Sequence, residues 1–231
     1  MHRDRKVSVV IPTHNEVEGL PPVIHALPDL VDEILVVDWR STDGTVERAV
    51  ELGAQVIHED RQGYGQAYLS GVPAASGELV ITLDADGTYP AERIPELLDR
   101  LDERGLDFLS CCRFPLERPD ARPVPKRVGN QMLRHTANLL FGGDLRDLLS
   151  GMWVFKREVW AQLAPTSANW NMSQEIKLRA ALALGSRFSE AWIPYSPRIG
   201  ETKLLPFRVG MENLAHLFVL RLELGPGKPR A

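Results

Sequence analysis

Two aspartates separated by one residue follow an apolar run near the middle of the chain. The segment Leu79–Pro90 has the sequence LVITLDADGTYP, so Asp84 and Asp86 come directly after a predicted strand, Glu78–Leu83. Two neighbouring carboxylates repel each other unless a cation lies between them. Carboxylate and diphosphate oxygens are the ligands that Mg²⁺ and Mn²⁺ prefer. The pair therefore predicts a divalent-metal site. The alternative is a turn opened by Asp84 and a helix capped by Asp86.

The elements that position this pair follow from the alternation of β-branched runs with helix-like segments. This alternation predicts an α/β fold with a mainly parallel sheet. The predicted strands of the first half are Val7–Ile11, Glu33–Val37, Gln55–His58, Glu78–Leu83 and Phe108–Cys112. The predicted helices between them are Glu18–Leu27, Asp43–Leu52, Gly65–Ala75 and Ile94–Arg104. Ligands bind beyond the carboxyl ends of such strands, which makes Asp38, Asp84 and Asp86 candidate ligand-binding residues.

The second half opens with a charged, proline-rich segment, Phe114–Pro125, which predicts a surface loop that becomes ordered when ligands bind. After it we predict helices at Lys126–Phe141 and Ser173–Leu184, and strands at Met152–Phe155 and Ala191–Ile193.

The apolar segment Leu204–Leu224 is predicted to form an amphipathic helix. Residues that recur at three- and four-residue spacing along it form a stripe. They are Phe207, Met211, Leu214, Leu217, Phe218 and Arg221. Such a stripe would lie on a membrane surface, pack on the catalytic core or form a homodimer. We expect a catalytic domain over 1–204 and a C-terminal helix and tail over 205–231.

The composition is that of a globular protein, with 231 residues, 44% of them hydrophobic and 25% charged. A formal net charge of −4 gives no reason to expect nucleic-acid binding. The sequence shows neither a signal peptide at its start nor an apolar run near the ~20 residues that span a bilayer. Adjacent Cys111 and Cys112 predict buried thiols rather than a disulfide scaffold. We therefore expect a cytoplasmic protein.

A strand followed by Asp-x-Asp-Gly-Thr is typical of two enzyme classes. In a large phosphatase superfamily, the first aspartate, here Asp84, attacks phosphorus. In many sugar-nucleotide transferases, the pair holds a metal beside a leaving diphosphate. The phosphatase motif belongs on the first strand of its fold, whereas here several strand–helix steps precede it. Its further acids would be Asp144 and Asp147, which follow no convincing strand. The phosphatase is therefore the alternative from a different enzyme class.

Three segments of this chain resemble the nucleotide-binding half of family-2 glycosyltransferases, which have the GT-A fold. They are VSVVIPTHNE, EILVVDWRSTDGT and GYGQAYLSGVPAASGELVITLDADGTYP. Polyprenol-phosphate sugar transferases of the dolichol-phosphate mannose synthase type have segments similar to LLSGMWVFKREVW and IPYSPRIGETKL. The resemblance covers Val7 to Leu204. It implies a single domain with a Rossmann-like sheet and helices on both faces.

The resemblance also implies an activity. A sugar would pass with inversion from a nucleoside-diphosphate sugar to a polyprenyl phosphate, with Mg²⁺ or Mn²⁺ as cofactor and with peripheral membrane contact. One alternative is the same fold acting on a small soluble hydroxyl acceptor. Another is a non-catalytic nucleotide-sugar binder, because Trp39 and Thr88 replace polar groups that the family often has.

Roles for residues on the donor side follow from the same resemblance. The residues that it places around the nucleotide are Pro12, Thr13, Asn15, Glu16 and Asp38. Trp39 is expected to stack on the base or to fill a gap. Asp86 is expected to bind the metal, and Asp84 to bind the metal, the ribose or a metal-bound water.

Basic side chains are implied to bind the phosphates. Arg113 follows a strand, Arg127 lies beside Lys126 in the first turn of a helix, and Arg198 and Lys203 flank the sequence IGET. Helix N-termini attract anions, and arginine makes bidentate contacts to phosphate. Glu175 is the candidate general base, which a hydroxyl acceptor would need and an acceptor phosphate would not.

Overall fold

The computed structural model of the chain describes residues 1–117, 124–200 and 206–225. Its strands are β1 (Val7–Thr13), β2 (Glu33–Asp38), β3 (Gln55–His58), β4 (Leu79–Thr82), β5 (Phe108–Cys112), β6 (Trp153–Lys156) and β7 (Phe188–Trp192). Its helices are α1 (Leu20–His25), α2 (Thr45–Glu51), α3 (Tyr64–Ala74), α4 (Ile94–Glu103), α5 (Val124–Phe141), α6 (Glu158–Leu163), α7 (Met172–Leu184) and α8 (Pro206–Leu224).

The strands form one sheet in the order β3-β2-β1-β4-β6-β5-β7. Strands β1 to β4 are parallel, whereas β6 runs antiparallel to both β4 and β5. The predicted α/β fold with a mainly parallel sheet is therefore confirmed. This order aligns the carboxyl ends of β1, β2 and β4 at one edge, where the predicted donor-side residues lie.

Alternation along each central strand builds a core on both faces of the sheet. Val10 and Val80 point to the face covered by α3 and α7, whereas Val9 and Ile81 point to the face covered by α4. All four side chains are fully buried. Strands buried on both faces give near-continuous apolar runs in the sequence, which is why these strands were predictable.

The second half differs from the sequence predictions at strand β7, which begins at Phe188 and not at the predicted Ala191, at the start of helix α5 and at helix α6. Helix α5 begins at Val124, so Pro125 belongs to a helix and not to the predicted loop Phe114–Pro125. Proline is accommodated there because the amides of the first helical turn lack helical partners. Residues 118–123 of that loop lie outside the described residues. Helix α6, which the sequence did not indicate, is a six-residue segment that buries Val159, Trp160 and Leu163.

Helix α8 packs on α5 and α7. Leu217, which was predicted to belong to the amphipathic stripe, is fully buried in the core together with Leu220. Phe207, at 84% exposure, and Leu222, at 88%, lie on the outer side of the helix. The predicted stripe is therefore divided between the core and the surface. Within the described ranges, no helix combines the length and apolar character that crossing a membrane requires.

Candidate active site

The two aspartates of the opening motif lie just beyond the carboxyl end of β4. Asp84 is half-buried, and its Oδ1 accepts a hydrogen bond of 2.9 Å from the Tyr64 hydroxyl. Asp86 is buried, and its Oδ1 accepts bonds from the backbone amide of Thr88 at 3.1 Å and from its hydroxyl at 2.7 Å. Thr88 thus orients Asp86. A turn does follow Asp84, but Asp86 caps no helix, because the next helical turn begins only at Ala91.

The environment of Asp84 disfavours its charged form. Burial, together with the negative charge of Asp86, raises the pKa of Asp84 to about 7. The hydrogen bond from Tyr64 and the positive charges of Arg113 and Arg198 act in the opposite direction. The two carboxylates therefore repel each other, and a cation bound to both would relieve that repulsion.

Arg198 connects this pair to the loop after β1. Its Nη1 donates to Asp86 Oδ2 at 2.8 Å, and its Nη2 donates to Glu16 Oε1. Two backbone bonds fix the segment that carries it, from Ser196 N to Thr88 O at 3.0 Å and from Ile199 N to Asp86 O at 2.9 Å. The sequence predicted both Glu16 and Arg198 as donor-binding residues, and the structure brings them together at the Asp86 carboxylate.

The remaining predicted donor-side residues form a second network at the ends of β1 and β2. Thr13 pairs with Asp38 in the sheet register, next to Pro12, and its hydroxyl donates to Asp38 Oδ1 at 2.9 Å. Asp38 is 1% exposed and also accepts from the Ser41 amide at 2.9 Å. Its buried carboxylate therefore stabilises the loop after β2 through these hydrogen bonds. We call Pro12, Thr13, Asn15, Glu16, Asp38, Asp84, Asp86 and Arg198 the donor rim.

Asn15 and Trp39 shape the entrance to this network. Asn15 has a φ of 52°, in the left-handed region that asparagine tolerates better than most residues. Its side-chain oxygen accepts from the Thr42 amide at 2.8 Å, which ties the loop after β1 to the loop after β2. Trp39 packs on His14 with ring centroids 4.2 Å apart. Both loops are therefore held by contacts within the protein.

Arg113 is held by a buried ion pair. Its Nε donates to Asp147 Oδ2 at 2.6 Å and its Nη2 to Asp147 Oδ1 at 2.8 Å, while the side chain is 3% exposed. Its guanidinium also lies 5.2 Å from the ring centroid of Tyr195. The predicted phosphate ligand is thus engaged by Asp147, although its charge still reaches Asp84 and lowers that pKa.

The two remaining predicted basic residues are Arg127 and Lys203. Arg127 lies half-buried in the first turn of α5, the position that the sequence indicated. Lys203 lies outside the described residues, so its predicted phosphate contact stays a prediction. Among the contacts of the described residues, none links Arg127 to the donor rim, so its predicted role also stays a prediction.

Glu175 is fully buried in α7. Its carboxylate accepts from the amides of Thr166 at 3.0 Å and Ser167 at 2.8 Å, and from Arg179 Nε at 2.7 Å. Burial alone would raise its pKa, but these hydrogen bonds outweigh burial and hold the pKa below its ordinary value. A carboxylate engaged in this way is a weak proton acceptor, so the contacts favour anchoring of the 166–167 segment. The base role stays a prediction.

The sequence analysis missed an aromatic pair beside Asp84. Tyr64 stacks on Trp170 with centroids 4.7 Å apart and an interplanar angle of 13°. A Cβ added at Gly65 would lie 2.1 Å from Ser167 O, so glycine lets the Tyr64 turn dock against the loop before α7. The Gly-Tyr-Gly sequence at 63–65 was a signal for this close approach. The tryptophan partner, 106 residues away, had no such signal.

The oxygen donors fit a divalent cation. Asp84 and Asp86 supply two hard carboxylates, and Mg²⁺ is commonly held by one or two carboxylates together with substrate phosphates. Among the described residues, no group of three His, Cys, Asp or Glu side chains could hold a metal alone. The arrangement therefore suits a metal that arrives with a diphosphate better than a closed structural metal site.

Comparison with known proteins identifies relatives along most of the chain. The sequence model described as "Glycosyl transferase family 2" matches residues 8–163. A dolichyl-phosphate hexose transferase of Haloferax volcanii is 35% identical over 207 residues, which cover 88% of this chain and 89% of that protein. The low-salt glycan biosynthesis hexosyltransferase Agl6 of the same organism is also 35% identical, over 92% of this chain but only 53% of its own length.

The fold is shared with a solved enzyme. Glucosyl-3-phosphoglycerate synthase from Mycobacterium tuberculosis, in complex with Mg²⁺ and uridine diphosphate, superposes with a TM-score of 0.73 at 25% identity. The match covers 94% of this chain and 79% of that chain. A complex of the same synthase with Mn²⁺, UDP-glucose and phosphoglyceric acid gives a TM-score of 0.75 at 24% identity.

Proposed function

Because this chain belongs to glycosyl transferase family 2, we propose that it transfers a sugar from a nucleoside-diphosphate sugar to a polyprenyl phosphate. Family membership selects the transferase over the phosphatase as the meaning of the Asp84–Asp86 motif. The acceptor oxygen attacks the anomeric carbon from the face opposite the leaving diphosphate, so the configuration is inverted.

In this proposal the donor rim stabilises the leaving nucleoside diphosphate. Asp84 and Asp86 are the residues that would hold Mg²⁺ or Mn²⁺, which neutralises charge developing on the diphosphate when bound. Two observations support the metal, the paired carboxylates here and the Mg²⁺ and uridine diphosphate found together in the synthase of the same fold. Arg198 orients Asp86 through its 2.8 Å bond and adds positive charge next to the diphosphate position.

Asp38, Thr13 and Asn15 fix the two loops that would receive the nucleoside. The bond from Thr13 to Asp38 and the bond from the Thr42 amide to Asn15 hold the loop after β1 against the loop after β2, so little further ordering would be needed when the donor binds. In this proposal Pro12 and Glu16 line the same pocket, while Arg127 and Lys203 position the acceptor phosphate. An anionic acceptor oxygen needs positioning more than it needs a base.

The choice of a lipid acceptor rests on one observation. Two packed helices, α5 and α8, carry exposed apolar side chains on their outer sides. We call this surface the α5–α8 face. Its large members, each at least half exposed, are Val124, Val128, Met132 and Leu139 on α5, and Phe207, Met211, Phe218, Val219 and Leu222 on α8. Those of α5 recur at intervals of four and seven residues, which places them along one side of the helix.

The α5–α8 face would lie on a bilayer that contains the acceptor. Large exposed apolar patches mark sites of contact with membranes or partners. An interfacial helix buries its apolar side at the headgroup boundary without spanning the bilayer. The name of the Haloferax volcanii relative, a dolichyl-phosphate hexose transferase, supports the same acceptor class. A homodimer through this face is the other occupant that the experiments below distinguish.

A soluble acceptor is the second candidate function. Glucosyl-3-phosphoglycerate synthase shares the fold over 94% of this chain, and its name specifies a small water-soluble acceptor. The two candidates share the donor chemistry and differ only in what reaches the acceptor side.

The deciding experiment incubates the protein with a panel of nucleotide sugars and Mg²⁺ or Mn²⁺, with each class of acceptor in turn. We expect release of nucleoside diphosphate, and a glycolipid product, with polyprenyl phosphate in vesicles. Transfer to 3-phosphoglycerate, or to a free sugar, without transfer to the lipid would establish the soluble acceptor instead.

A further inference from the structure

A small pocket lies between the loop before α7 and the first turns of α8. Its volume is about 180 Å³. The residues that line it are Asn169, Trp170, Asn171, Val209, Glu212 and Asn213. Trp170 stacks on Tyr64, whose hydroxyl donates to Asp84, so one aromatic pair separates this pocket from the donor rim.

Polar atoms around the pocket lack hydrogen-bond partners within the described part of the chain. They are Asn171 Oδ1, Asn213 Oδ1 and the nearby Gln174 Oε1, and all three atoms are buried. Asn213 is 2% exposed, and Gln174, whose Nε2 donates to Asn213 O at 2.9 Å, is fully buried. Buried amide oxygens without partners lower stability, so the hydrogen bonds of the fold do not account for these three oxygens.

The chemistry of the lining selects a neutral, hydroxyl-rich ligand. Asn169 is exposed and offers an amide oxygen and two N–H donors, while Asn171 and Asn213 add amide groups to the lining; amides match the donor and acceptor character of a hydroxyl group. Glu212 adds a carboxylate, held by Arg208 Nε at 2.8 Å, that would repel a phosphate. Trp170, at 38% exposure, presents an apolar surface of the kind that packs on the C–H face of a sugar ring.

We propose that this pocket, formed jointly by the 169–171 loop and α8, binds one pyranose ring through its hydroxyl groups. The volume accommodates a single ring. This inference rests on the proposed sugar transfer and extends it by assigning sugar recognition to α8. The pyranose has two possible sources, the sugar of the donor or a separate glycan, and their shared chemistry is what the pocket recognises.

Asn213→Leu is the variant that best separates ligand binding from folding. Leucine has a similar volume and removes an amide that has no side-chain partner, so the melting temperature should stay the same or rise. A purely structural asparagine would give the opposite result. Trp170→Ala removes the stacking surface, and Val50→Asn, at an exposed position on α2 outside both the pocket and the α5–α8 face, serves as the control.

The test measures binding without any lipid. Calorimetry compares UDP and GDP with their glucose and mannose conjugates, and saturation-transfer NMR examines methyl glucoside and methyl mannoside. We expect Asn213→Leu and Trp170→Ala to weaken sugar-dependent binding by about tenfold or more while the free nucleotides bind as before. Loss confined to the nucleotide sugars identifies the donor as the source, whereas loss confined to the methyl glycosides identifies a separate glycan.

Two results would overturn the pocket assignment. One is sugar-dependent binding that both variants retain at the strength of the wild type. The other is the absence of any sugar-dependent binding in the wild type. Failure of transfer to polyprenyl phosphate, with sugar binding intact and lost in the variants, would refute only the proposed acceptor.

Discussion

The donor rim and the α5–α8 face differ in how their side chains are satisfied. On the donor rim, Asp38, Asp86 and Arg198 all bond to neighbouring side chains, and Asp86 accepts bonds from both Thr88 and Arg198. On the α5–α8 face, Phe207, at 84% exposure, and Leu222, at 88%, are largely exposed to solvent. A pre-organised polar rim suits a small, charged ligand, whereas an uncovered apolar face suits an extended apolar one.

The largest expected effect tests the polar side of this comparison. Asp86→Ala should lower transfer by about three decades, because it removes a proposed metal ligand and a hydrogen-bond partner of Arg198. Chelation of divalent cations should lower wild-type activity to a similar level. Release of nucleoside diphosphate measures both, and melting temperature checks the fold.

Asp60→Ala is the matched control, because Asp60 is a highly exposed carboxylate that pairs with Arg40. We expect it to behave as the wild type. An Asp86→Ala protein that turned over normally in the presence of EDTA would remove the metal from the donor rim.

The next effect concerns the apolar side. Phe218→Asp and Leu222→Asp should each reduce sedimentation with anionic vesicles by about tenfold or more, because burying such a side chain contributes about 1.5–3 kcal/mol. Val50→Asp is the matched control, since Val50 is an exposed apolar residue on α2, away from α5 and α8.

Size-exclusion chromatography separates the membrane from a second subunit. A wild-type protein that stays in the supernatant but migrates as a dimer, and a Phe218→Asp variant that migrates as a monomer, would assign the α5–α8 face to an interface between two copies. The lipid acceptor would then lose its main support.

A smaller effect tests how finely the donor rim is tuned. Tyr64→Phe removes the hydrogen bond to Asp84, so we expect activity at neutral pH to fall by about three- to tenfold. That bond lowers the pKa of Asp84, which burial and Asp86 raise to about 7. Its loss raises the pKa further, and the alkaline shift should let the variant recover part of its activity at higher pH. Equal loss across pH 6.5–8.5 would place the role of Tyr64 elsewhere.

The same contrast explains what was predictable from the sequence. Asp84 and Asp86 were identifiable because a buried strand and a metal-binding motif are local signals. Parallel strands then bring Glu16 and Asp86 to one edge even though they are far apart in the chain. Trp170 and the ion pair of Arg113 with Asp147 were not identifiable, because each contact joins distant segments and neither has a local pattern.

The C-terminal helix shows a limit of periodicity as a signal. Spacing alone placed Leu217 and Phe218 in one stripe, yet Leu217 is fully buried and Phe218 is half exposed. Adjacent residues on a helix point about 100° apart, so a wide stripe can serve two surfaces. Which part faces the core depends on how α8 packs on α5, which the sequence of α8 does not contain.

The smallest expected effect on transfer concerns Glu175, which contacts both compared regions indirectly. It anchors the segment that leads to Trp170 and Tyr64 beside the donor rim, and its partner Arg179 also bonds to Glu223 of α8. Glu175→Gln should leave transfer to an anionic acceptor within about threefold, since such an acceptor needs no base.

The effect of Glu175→Gln should appear in stability, where losing charge-assisted hydrogen bonds from two amides and Arg179 costs about 1.5–3 kcal/mol. The pKa of Glu175 is held below its ordinary value, so this contribution is present above the unfolded-state pKa and is lost as the pH falls through the folded-state pKa. The free energy of unfolding of wild type and variant should therefore converge on acidification, which denaturant titrations at several pH values measure. A loss of two or more decades in transfer, with donor binding unchanged, would instead make Glu175 the base for a hydroxyl acceptor and contradict the lipid phosphate.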